Sequence, residues 1–145
     1  MRIAIATVLA LVSSAAFAAE QSFPTISQPD TTNPAVATFV AWHAALVNGD
    51  FAAYRRLTFT VPNTSDDLLR QMFDQFRSSA PKSVRVTMPK TSSNGSVGFE
   101  SLGCVRDRPV VSVVSVGKQN GAWMVAGSAW GPSWNPKISE FVKCP

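Results

Sequence analysis

At Ser83 the spacing of apolar residues changes from three and four to two. That change limits the chain to folds in which helices come first and an antiparallel sheet follows. Ahead of it, Val36, Phe39, Val40, His43 and Val47 recur on one helical stripe. Pro34 suits the first helical position, where a missing N–H costs nothing. Gly49 can end that helix in the left-handed conformation, and Asp50 can cap a second one bearing Phe51, Tyr54 and Leu57 on a shared face. Thr58 to Asn63 contains Pro62 and reads as a loop. Thr64 or Ser65 then caps a third helix with Asp66 and Asp67 in its positive first turn. Its stripe is Leu68, Leu69, Met72, Phe73 and Phe76, and Pro81 lies beyond its end.

From Ser83 onward, Val84, Val86 and Met88 alternate with polar residues and predict a strand with one buried face. Asn94-Gly95 is a strong hairpin signal, followed by a strand from Val97 to Cys104. Arg106 to Pro109 turns the chain into Val110–Val116, which is apolar on both faces: Val110, Val114 and Val116 on one, Val111 and Val113 on the other. Asn120-Gly121 is a second turn, leading into Ala122–Trp130. Three helices followed by a meander of about four strands give an α+β fold class.

The ends read differently. Arg2, the apolar run Ile3–Val12 and Ala16-Phe17-Ala18 have the layout of a secretory signal, so residues 1–18 are expected to be removed. Residues 19–32, polar with Pro24 and Pro29, form an extended leader. Residues 33–130 are the domain, and 131–145 a Pro-rich tail with about one helical turn near Pro136–Val142. No later apolar stretch reaches the roughly 18 residues of a membrane span. The mature protein is expected to be exported, to the periplasm first of all, with secretion as the alternative.

Loss of Arg2 lowers the formal charge from +4 to +3, and the basic residues are scattered except at Arg55-Arg56 and Arg106/Arg108. A nucleic-acid face would need a basic cluster interleaved with stacking aromatics, so none is expected. One histidine and two cysteines lack zinc spacing, and no cofactor motif is present. Cys104 and Cys144, the only cysteines, are expected to form a disulfide in an oxidising compartment, with two free thiols or an intermolecular link as the alternatives.

The helix ending in Val47-Asn48-Gly49-Asp50, the aromatic second helix and the strand Asn120–Gly127 (NGAWMVAG) resemble the nuclear transport factor 2-like superfamily. That group includes ketosteroid isomerases, SnoaL-like cyclases and exported bacterial domains. The resemblance implies a cystatin-like cone, in which a curved sheet wraps the first helix and the open end often holds a ligand. It also implies frequent homodimers formed sheet to sheet. The isomerases' tyrosine would fall at Trp42, and Thr58–Asn63 holds no carboxylate for their general base.

Trp42, Tyr54 and Phe73, with His43 as a polar handle, are therefore the candidate cone lining for a small apolar ligand. The competing reading is that these aromatics fill the core. A catalytic role would pair His43 with a carboxylate such as Glu100; no serine-hydrolase elbow accompanies it. The preferred expectation is a non-enzymatic domain that binds a small apolar ligand or a protein partner. A small His43 enzyme and an envelope accessory or immunity-type inhibitor are the alternatives. Trp130 and Trp134 flank Gly131-Pro132 as a further partner-facing candidate, with packing under the tail as the plainer outcome.

Overall fold

The structure, a computed structural model, describes residues 25–132 and 142–145. The signal segment, the start of the leader, Trp134 and the expected helical turn near Pro136 lie outside the described residues. The expected helices form: α1 (Pro34–Asn48), α2 (Phe51–Leu57) and α3 (Asp66–Ser79). Asn33 caps α1 by accepting from the Ala35 and Val36 amides. At its other end Gly49, at φ 75°, donates to Leu46 while Asp50 donates to Ala45, which closes the last turn. Asp50 then caps α2 through the Ala53 amide, and Ser65 caps α3 through the Leu68 amide.

Seven strands form one antiparallel sheet in the order β1–β2–β4–β5–β6, so the α+β class expected from the sequence is the one observed. They are β1 (Ile26–Ser27), β2 (Arg85–Thr87), β3 (Lys90–Thr91), β4 (Val97–Val105), β5 (Arg108–Gln119), β6 (Ala122–Gly127) and β7 (Gly131–Pro132). β3 pairs β4, and β7 pairs β5. Three strands go beyond the expected meander: β1, β3 and β7. The leader supplies β1, which pairs β2 at the sheet edge. β6 pairs only the second half of β5, with an irregularity at Ser115/Val116, and β7 returns to Val110 and Val111.

The helices cover one face of the sheet. Val97, Phe99, Ser101, Val114, Val116 and Val125 point into the core with Phe39, Trp42, Leu46 and Tyr54. Three stripe positions depart from expectation. On α1 the buried arc turns toward Trp42 and Leu46, because α2 folds back at Gly49, and this leaves Val47 exposed. α3 buries Leu69 and Phe73, one turn apart, so Leu68 faces out. Met88 lies just past the last paired residue of β2 and is 68% exposed.

An aromatic interior and an open sheet face

The four candidate residues belong to one buried aromatic cluster. Trp42 lies 5.5 Å from Tyr54, ring centre to ring centre, and Tyr54 lies 5.1 Å from Phe73, edge to face. His43 joins through Trp130, whose ring is 5.5 Å from the imidazole and 5.9 Å from Trp42. Phe39 completes the set, 5.4 Å from Phe99 of β4. Trp130 is buried, so it packs inward and does not present a surface. These ring separations are those of packed aromatic pairs. None of the four lines either of the two cavities described below.

The polar atoms inside this cluster are few. The Trp42 indole N–H donates to the Thr58 hydroxyl at 2.9 Å, and that hydroxyl donates to the Tyr54 carbonyl at 2.7 Å. The buried Tyr54 hydroxyl has no hydrogen-bond partner among the described residues. Burial raises the Tyr54 pKa, an effect that the nearby Thr58 side chain reduces. Thr58 was not legible as a site residue, since nothing in TFTVPN distinguishes it from a loop threonine.

His43 donates from Nε2 to the Pro81 carbonyl at 2.8 Å, which fixes the neutral tautomer with Nδ1 unprotonated. Burial lowers its pKa below the ordinary 6.5, and the bond to Pro81 works the other way. Glu100 cannot serve as its partner. Phe99 points to the helices, so its neighbour Glu100 projects from the opposite face, beside Val113. The structure does not bring together the acid–base pair that catalysis would require.

The opposite face of the sheet divides into two zones. Around Cys104, the disulfide to Cys144 is formed, with Cα atoms 5.6 Å apart, and Leu102 there is buried. Farther along β5, Val113 is 73% exposed in the middle of a central strand, with Val111 half-buried on the same face.

Two cavities accompany these surfaces. One, of about 550 Å³, is lined by Phe59, Ser115, Lys118 and Trp123 among others; the Lys118 ammonium lies 5.0 Å over the Trp123 ring. The other, of about 1050 Å³, is a groove beside the disulfide. It is bordered by Lys82, Arg85, Arg106 and Lys143. Among the described residues no group of side chains could hold a metal ion, and no helix is long and apolar enough to cross a membrane.

Neither the protein-family models nor the curated protein sequences contain a match to this chain. Among solved structures, it is similar to a crystal structure from Xanthomonas campestris described as a candidate calcium/calmodulin dependent protein kinase II association domain. The identity is 15%, the TM-score 0.47, and the match covers 70% of this chain and 87% of that one.

Proposed function

We propose that this chain is an exported, non-enzymatic binding domain of the nuclear transport factor 2-like superfamily, and that its docking surface is the open part of the outer sheet face. The occupant is a second copy of the same chain, packed sheet to sheet. The observation that carries this reading is Val113: a large apolar residue, 73% exposed, in the central strand of the sheet. The outer face of an antiparallel sheet is commonly solvated and polar, so a large apolar residue exposed at its centre marks a surface to be buried, and the described tail residues are fastened at the Cys104 end. The superfamily assignment rests on the order of elements, three helices and then an antiparallel meander against whose inner face α1 packs.

The tight aromatic interior favours a protein partner over a small apolar ligand in the cone. His43 and Glu100 on opposite sides of the sheet favour binding over turnover. Export is supported by the Cys104–Cys144 bond, which persists in an oxidising compartment.

Light scattering on the mature protein at tens of micromolar tests the docking surface. The expected result is a dimer that Val113→Lys converts to monomer without unfolding it. A wild-type protein that is strictly monomeric removes the second copy as occupant. Hydrolase or isomerase turnover in wild type that vanishes with His43→Ala would overturn the non-enzymatic reading.

A further inference from the structure

We infer that the groove beside the Cys104–Cys144 disulfide is a binding site for an acidic, extended peptide segment of a partner protein. Its cations come from four separate parts of the chain. Lys82 lies between α3 and β2, Arg85 on β2, Arg106 in the β4–β5 turn and Lys143 in the tail. They are spread over about sixty residues of sequence, so no basic run announces them. The fold gathers all four around about 1050 Å³ of open space, and among the described lining residues Asp107 is the one acidic side chain. Among the described residues none of the four cations is in an ion pair, the pair found there being Arg55–Asp66.

The walls say which anion fits. Val84, Leu102 and Val105 give an apolar floor, and among the described residues no aromatic side chain lines the groove. Single-stranded nucleic acid is held by stacking its bases on aromatic rings, which the described lining does not supply. Carboxylates need only the guanidinium forks of Arg85 and Arg106 and the two ammonium groups. An extended segment with alternating acidic and apolar residues would meet both the rim and the floor.

The groove is also held in shape before any ligand arrives. At Gly103 a Cβ would come within 2.5 Å of Pro81 Cβ and 2.6 Å of the Ser83 carbonyl, so the α3–β2 connection lies directly on β4. Arg106 and Asp107 both take positive φ, 48° and 61°, in a tight turn. The disulfide at Cys144 places Lys143 at the rim. Pre-positioned charges lose less entropy on binding. This site stands apart from the second-copy reading, since Val113 is not in its lining.

The test uses oxidised mature protein and a fluorescein-labelled hexaglutamate peptide, followed by anisotropy at about 0.15 M salt. Arg85→Glu with Arg106→Glu should weaken binding by about tenfold or more, because both reversals act at the groove. Arg56→Glu with Lys90→Glu, exposed cations outside the lining, carries the same change in net charge and should weaken it less than about twofold. Opening the disulfide with the double change Cys104→Ser, Cys144→Ser should give an intermediate loss, since Lys143 is released. A direct readout guards against misfolded variants: amide shifts in wild-type protein should move at Lys82, Arg85, Arg106 and Lys143 on addition of the peptide. Equal weakening by both charge reversals, shifts confined to other surfaces, or no saturable binding overturns the site. Tighter binding of an oligothymidylate of equal charge overturns the peptide as its occupant.

Discussion

The Trp42 indole N–H and the Thr58 hydroxyl meet at 2.9 Å in the buried interior, sixteen residues apart in sequence. Thr58 sits where the chain leaves α2 and bridges to Val125 of β6, so this bond ties the first helix to the sheet's last long strand. The hydroxyl both accepts from Trp42 and donates to the Tyr54 carbonyl. An indole N–H in this position satisfies a donor that a core of aromatic rings would otherwise strand.

Thr58→Val keeps the shape and removes the acceptor. The buried indole N–H is then unpaired, which costs about 1–3 kcal/mol of stability. Thr58→Ser keeps the hydroxyl and should lose less than half as much. Urea unfolding of the two variants beside wild type measures the difference. Equal stability of Thr58→Val and wild type would show that the bond contributes nothing net.

Gly103→Ala should be among the most damaging small substitutions in the chain. The added Cβ meets Pro81 at 2.5 Å and the Ser83 backbone oxygen at 2.6 Å. Neither neighbour is the flexible end of a side chain, so the α3–β2 connection must move. Overpacking of this kind costs about 1–3 kcal/mol, and more where the backbone resists. The same shift would disturb Pro81, whose carbonyl accepts from His43. Pro81→Ala should not rescue it, because the Ser83 oxygen remains. A thermal melt of the single and double variants decides this.

The periodic parts of the fold were legible because periodicity reports burial directly. Pro34, Gly49, Asp50 and Ser65 marked the helix ends, and Asn120-Gly121 marked its hairpin with both residues at positive φ. The short strands β1, β3 and β7 were not legible. Each is two residues long, carries no alternation and exists only because a longer strand offers an unpaired edge. Val47 and Leu68 show the limit of a stripe at helix ends, where the neighbouring element has already turned away. At the site, Trp42, His43, Tyr54 and Phe73 were found by residue type and spacing, and they do cluster. Whether they enclose space or fill it depends on Phe99 and Trp130, which arrive from other parts of the chain. The basic groove was illegible for the same reason, since its cations converge only in three dimensions.

His43 should make stability fall in mild acid. Burial holds its folded pKa below the ordinary 6.5, so between those two values the unfolded chain binds more protons than the folded one. The stabilising contribution is complete above about pH 6.5 and is lost as pH falls through the depressed folded pKa. His43→Gln can still donate to Pro81 and does not titrate. Its stability should therefore be flatter than wild type on the acid side of pH 6.5. Parallel curves of stability against pH for the two proteins would remove His43 as the source.

The Cys104–Cys144 bond closes a loop of 40 residues that contains β5, β6 and β7. Loop-closure entropy alone assigns such a link about 4 kcal/mol, and native domains commonly lose about 2–5 kcal/mol when one is removed. The lower end should apply here. The described aromatic core residues all precede the tail in the chain. The double variant Cys104→Ser, Cys144→Ser should therefore fold, with a lower Tm and intact near-ultraviolet signals from Trp42 and Trp130. Its added exposure should be confined to the outer face near Leu102, which is buried at present beside the bonded tail. Hydrogen exchange offers the discriminating measurement. Faster exchange limited to the Cys104 end of β4 and the adjoining start of β5 is the expected pattern. Uniformly faster exchange across α1 and β6 would instead mean that the link supports the whole domain.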